Sequence, residues 1–277
     1  MLKQRLITAL ILIPVFVLLL LKLPPRAFNE LIIAFVVVGA WEWAGLMGLK
    51  KKSARIFYSI IVLALLIGLV SLAQYISAIL VSSVAFWLLA LLLVLLYPAA
   101  SGLWGKSYLV RAVMGFFVLI PTFFALQFLH NTEMFGINRG PYILLFLFIL
   151  IWGADSGAYF AGKKWGKTKL APRVSPGKTW QGLLGAIGVT LILTPLFYYL
   201  FPAPQPQAWM LLVLTLLTVL FSVLGDLFES MLKRNVGIKD SGTLIPGHGG
   251  LLDRIDSLTA AAPLFALGCL LLFKILH

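Results

Sequence analysis

Residues 225–256 gather acids, bases and glycines in an otherwise apolar chain. Asp226, Glu229, Ser230 and Lys233 are spaced three and four apart, so on a helix they share one face. Lys233-Arg234 is followed by Lys239-Asp240, then Pro246-Gly247-His248-Gly249-Gly250, then Asp253-Arg254-Ile255-Asp256, which leads at once into an apolar run. Two glycines before a helix let backbone approach a phosphate at the end where free N–H groups and the dipole favour anions. Asp253 and Asp256, three apart, fall on one face of that first turn. Paired carboxylates repel unless a cation joins them, and carboxylates with nucleotide phosphates are the usual ligands of magnesium. Interleaved Lys and Arg supply matching anion contacts. The pattern is that of metal-assisted phosphoryl or nucleotidyl transfer, and its alternative is a purely structural cluster of ion pairs.

A second polar segment covers residues 152–181. Asp155 lies in Trp152-Gly153-Ala154-Asp155-Ser156-Gly157, where the glycines admit another backbone or a ligand. An acid at membrane depth marks a site or, alternatively, a hydrogen bond between helices. Further on, Ser175-Pro176-Gly177-Lys178-Thr179 contains a Gly-Lys-Thr triplet, but the earlier glycine of a P-loop is replaced by Pro172, and no strand is indicated before it. A Walker motif is excluded, and Lys178 is expected to contact phosphate. His248 has no second His or Cys beside it, which argues against zinc. It is a candidate contact to phosphate or base, or a turn residue. His130 and His277 fall on the opposite side, and the single Cys269 allows no internal disulfide.

These residues must be held by helices in lipid. The 277 residues are 61% hydrophobic and 11% charged, far from the balance of a soluble domain. Nine apolar runs predict spans at 6–21, 28–47, 57–72, 78–97, 108–129, 141–161, 182–201, 209–228 and 257–275. They are continuous rather than alternating, so the fold class is all-α: a polytopic bundle forming a single membrane domain over 1–277. Residues 1–140 are expected to be mainly scaffold, and 141–277 to carry the site. Eighteen of the 22 Lys and Arg fall on the side of the N-terminus, leaving Lys22, Arg26, Arg139 and Lys274. The bias predicts a cytoplasmic N-terminus, a periplasmic C-terminus and both polar segments facing the cytoplasm. Much of the net charge of +13 is then a topology signal that also suits anionic membrane lipids or nucleotides, and it gives no reason to propose nucleic acid. The chain shows no internal repeat of the kind on which many transporters are built.

The segment Ser230-x-x-Lys233-Arg234, Lys239-Asp240-x-Gly242, then Ile245-Pro246-x-His248-Gly249-Gly250-Leu251-x-Asp253-Arg254-Ile255-Asp256 resembles the signature of the phosphatidate cytidylyltransferase (CDP-diacylglycerol synthase) family over 27 residues. Asp155 with its neighbours, Ser175-Pro176-x-Lys178-Thr179 and Gly225-Asp226 also resemble family motifs, and the likeness runs end to end, nearest the bacterial branch. The resemblance implies a multi-pass enzyme of the bacterial inner membrane that joins CTP to phosphatidate, releasing pyrophosphate, with magnesium, with or without a second cation, and a homodimer. It implies Asp226 and Asp253 as metal ligands, Asp256 in support, Lys239 in catalysis, and Lys178, Ser175, Lys233, Arg234, His248, Arg254 and Asp155 as substrate contacts. Gln181 departs from the acid found in many members. The nearest alternative is a CTP-using membrane kinase, which would release CDP.

Overall fold

The computed structural model describes residues 14–71, 73–134, 137–201, 207–244 and 249–275. The chain is helical over 14–22 (α1), and then forms α2 (Pro25–Leu46), α3 (Lys52–Val70), α4 (Ile76–Leu95), a short α5 (Ser101–Trp104) and α6 (Tyr108–Asn131). α7 (Gly140–Trp165), α8 (Trp180–Leu200), α9 (Ala208–Asn235) and α10 (Leu252–Ile275) complete the bundle. Eight of these helices are long and apolar enough to cross a membrane, which makes the chain an all-α polytopic membrane protein. They answer to the second through ninth predicted spans. The first lies largely outside the described residues, of which 14–22 are helical.

The helices outrun the apolar runs where the polar segments begin. α7 continues through Lys163 and Lys164 to Trp165, and α9 through Lys233 and Arg234 to Asn235. Cations in the last turn suit the negative end of the helix dipole. α10 begins at Leu252, five residues before the predicted span, with Asp253 in its first turn. At the start of α8, Thr179 caps the helix by accepting from the Gly182 N–H at 3.1 Å.

Two short hairpins accompany the helices. β1 (Glu133–Met134) pairs with β2 (Ile137–Asn138), and β3 (Lys169–Ala171) pairs with β4 (Ser175–Thr179), both antiparallel. The second hairpin lies in the polar segment of residues 152–181, where the sequence indicates no strand. Gly177-Lys178-Thr179 thus lies within a strand that feeds α8, a context unlike a P-loop.

Small residues set the closest helix contacts. A Cβ at Gly157 would come within 2.7 Å of the Gly185 carbonyl, and one at Gly153 within 2.7 Å of Leu193, so both glycines around Asp155 admit α8. On the other side of the site, a side chain at Gly225 of α9 would collide with the Asp256 carbonyl of α10. Stacked and edge-on rings of Trp43, Phe86, Trp87 and Phe228 lock α2 and α4 against α9. Phe228 is buried between Asp226 and Glu229 in sequence, so this aromatic core holds the polar face of α9 in place. His130 is fully buried, with Nε2 3.2 Å from the Leu20 carbonyl and its ring stacked on Phe28, which makes it a tie among α1, α2 and α6.

Candidate active site

The side chains that the sequence singles out on α7, β4 and α9 meet in one cavity of about 530 Å³. Asp155, Ser175, Lys178 and Asp226 line it, together with Tyr159, Lys163 and Gly162. Its volume falls in the range of about 300–1,000 Å³ usual for small-molecule sites. Lys178 Nζ lies 2.7 Å from Asp226 Oδ2, and the Ser230 hydroxyl donates to Asp226 Oδ1 at 3.2 Å. Beside it lies an apolar groove of about 540 Å³ floored by α9 and flanked by α4 and α8, with Leu170, Leu183 and Val223 lining both cavities. Arg173 and Trp180 stand in the lining of the groove.

A second cluster sits deeper, where α9 meets the start of α10. Lys233 Nζ donates to Glu229 Oε1 at 3.2 Å and to Asp253 Oδ1 at 2.8 Å. The Asp253 carboxylate also accepts from the Ser241 N–H through both oxygens, at 3.1 and 2.9 Å, and from the Gly250 N–H at 2.8 Å. Gly249 holds φ +84°, a left-handed conformation that glycine adopts without strain, and so turns the chain back over Asp253. Asp256 joins the two clusters, since its charge acts on Asp226 and Lys178 on one side and on Lys233 on the other. Its Oδ1 accepts from the Ser257 N–H at 2.7 Å.

The remaining candidates sit around this network. Arg234 is exposed at the end of α9 and donates through Nε to the Val174 carbonyl at 3.4 Å, tying the helix to the β3–β4 turn. Lys239 is exposed in the segment after α9, and Arg254 is exposed on the first turn of α10. His248 lies outside the described residues. Gln181 accepts from the Lys167 and Thr168 N–H groups at 3.1 and 3.3 Å, a role that needs only a side-chain oxygen.

Three contributors escape the reading by motif. Tyr159 and Lys163 line the cavity with Asp155 at intervals of four, one face of α7, a spacing visible in the sequence once the helix is known to run on to Trp165. Glu42 of α2 is buried against the segment before α10: its carboxylate accepts from the N–H groups of Leu251 and Leu252 and from the Ser241 hydroxyl. Nothing local marks Glu42, because its partners are some 200 residues away.

A cytidylyltransferase family model matches residues 3–272. The chain is a member of the cytidylyltransferase family. Among relatives of this cytidylyltransferase, a phosphatidate cytidylyltransferase of Pseudomonas aeruginosa is 45% identical over 266 residues, 96% of each chain. One of Haemophilus influenzae is 40% identical over 284 residues, covering 96% of this chain and 98% of the relative. One of Bacillus subtilis is 36% identical over 94% of this chain and 95% of the relative.

The donor chemistry of this cytidylyltransferase suits magnesium brought in by a nucleotide. Asp155, Asp226, Glu229, Asp253 and Asp256 gather with Lys178 and Lys233 in the linked network of the described residues, a concentration of negative oxygen donors. Among the described residues no three acids, histidines or cysteines converge into a self-sufficient metal cage. Magnesium at phosphates characteristically takes one or two carboxylates and completes its shell with phosphate and water oxygens.

Proposed function

We infer that this protein transfers the cytidylyl group of CTP to phosphatidate, giving CDP-diacylglycerol and pyrophosphate. The observation that carries the reading is the adjacency of the two cavities: a charged chamber suited to phosphates shares the side chains of Leu170, Leu183 and Val223 with an apolar groove suited to a lipid. The named relatives at 36–45% identity support the same substrates. A phosphate oxygen of phosphatidate forms the new bond to the α-phosphorus of CTP, and the bond to the β-phosphate's bridging oxygen breaks, with pyrophosphate carrying off the electron pair. The attacking phosphate is already ionised, so the reaction needs no strong general base. The task is to bring two anions together in line.

Lys178 and Lys163 line the chamber as phosphate contacts, and Ser175 and Asp155 border it. Arg234, Lys239 and Arg254, exposed on the proposed cytoplasmic side, are proposed as further contacts, together with the buried Lys233 and with His248. Asp226 and Asp253 are the proposed ligands of magnesium, with Asp256 in support. The cation, when bound, neutralises phosphate charge and polarises the phosphorus under attack. At Asp253 the Lys233 ammonium already holds the carboxylate at 2.8 Å and would share it with the cation. The site belongs to the cytoplasmic face of a bacterial inner membrane, where CTP arrives from water while the acyl chains stay in lipid.

Purified protein with phosphatidate, CTP and magnesium should release pyrophosphate and yield CDP-diacylglycerol in equal amounts. Release of CDP would instead identify a CTP-dependent kinase, and neither product would end the enzymatic reading.

A further inference from the structure

The start of α10 is fixed by a residue from the far end of the chain. Glu42 is 2% exposed and sits on α2, a helix that carries none of the residues lining the chamber. Its Oε1 accepts from the Leu251 N–H at 3.0 Å, and its Oε2 from the Leu252 N–H at 2.8 Å and the Ser241 hydroxyl at 3.2 Å. The first N–H groups of a helix have no partner within it, and a carboxylate placed there satisfies them and complements the dipole. Glu42 therefore acts as an N-terminal cap supplied by another helix.

The cap is wired to the reacting acids. Asp253 follows Leu252 directly, and Ser241 bridges the two carboxylates, its hydroxyl on Glu42 and its N–H on Asp253. The glycines at 242 and 250 are shaped by the same contact. A side chain at Gly242 would collide with the Glu42 carboxylate, and a Cβ at Gly250 would come 2.6 Å from Glu42 Oε2. Two glycines of the signature thus leave room for an acid that lies outside it.

We propose that Glu42 is a positioning residue for the transferase reaction, holding Ser241 and the start of α10 so that Asp253 and Asp256 keep their places on the first turn of that helix. It reaches no substrate itself. Its effect passes through the backbone at Leu251 and Leu252.

The test uses the full chain in detergent with Glu42→Gln, which keeps shape but turns an amide nitrogen, unable to accept, toward the N–H groups. kcat should fall about tenfold or more, while KM for CTP and for phosphatidate stays within about threefold, the split expected when bound substrates meet misplaced acids. Amide hydrogen exchange should quicken in peptides covering residues 241–252 and stay unchanged in α6 and α7. A kcat within about twofold of the parent, or exchange that quickens across the bundle with both KM values rising, would overturn the assignment. Should Glu42→Gln fail to fold, Glu42→Asp carries the same measurements, because a carboxylate shorter by one methylene cannot reach both amides and the hydroxyl. A folded Glu42→Asp with parental kcat and exchange would equally overturn it. The kinetic arm rests on the proposed reaction and the exchange arm does not, so an inactive parent protein would count against the reaction alone.

Discussion

Asp226 and Asp253 are chemically alike, yet their surroundings assign them different vulnerabilities. Asp226 borders the chamber, a third of its side chain exposed, and its Lys178 partner is also partly exposed. Asp226→Asn should remove CDP-diacylglycerol formation almost completely while moving the thermal midpoint little, since ion pairs open to solvent contribute about 0–1 kcal/mol. In contrast, the Asp253 side chain is 6% exposed and holds the buried Lys233 ammonium. Asp253→Asn should abolish turnover and also lower stability, by less than the roughly 3–5 kcal/mol of a wholly unpaired buried charge, because Glu229 stays on Lys233. Activity and detergent melting curves of the two variants, taken side by side, check both statements. Parental turnover by Asp253→Asn at limiting magnesium would remove it from the metal site and leave Asp256 as the ligand to test. Lys178→Ala should raise the KM for CTP or phosphatidate about tenfold or more in a folded protein, because it takes a cation out of a hydrated chamber without opening a buried cavity. Full activity would exclude it from the site.

Among the elements, the β3–β4 hairpin and the start of α8 form a unit held by Thr179 and Gln181. Gln181→Glu should keep parental activity, because a carboxylate oxygen accepts from the Lys167 and Thr168 N–H groups as well as an amide oxygen does. Gln181→Leu should loosen the turn ahead of β3 and reduce activity. Pyrophosphate release by both variants decides whether the oxygen, rather than charge, is what the position supplies. The spans themselves are legible in the sequence, since lipid forces helices wherever twenty apolar residues run together. Their polar ends are less so: Lys163, Lys233 and Asp253 read as loop by hydropathy but lie on helices, because α7, α9 and α10 pack against neighbours well beyond the apolar runs. The hairpin leaves little trace, as two strands of three and five residues rich in Lys, Pro and Gly carry no alternating pattern. The signature motif points to the right acids but not to their partners. That Asp226 pairs with Lys178 and Asp253 with Lys233 depends on how two helices and a hairpin converge, and Glu42 enters only through tertiary contact.

For the molecule as a whole, the excess of Lys and Arg on one side predicts which face presents the chamber. A reporter fused at the C-terminus should read as periplasmic, and one inserted between residues 163 and 178 as cytoplasmic. The opposite pair of readings would place the chamber on the side that lacks CTP. The contact between Glu42 and Leu252 spans 210 positions of the chain, and this long reach has a consequence for biosynthesis. Membrane helices enter the bilayer in the order in which the ribosome releases them, so α2 is in place, its carboxylate unmatched, while most of the protein is still unmade. α9 then arrives carrying Asp226, Glu229 and Lys233, whose partner Asp253 comes only with α10. A nascent chain that stops before its last helix therefore leaves Glu42 and Lys233 without the partners that α10 brings.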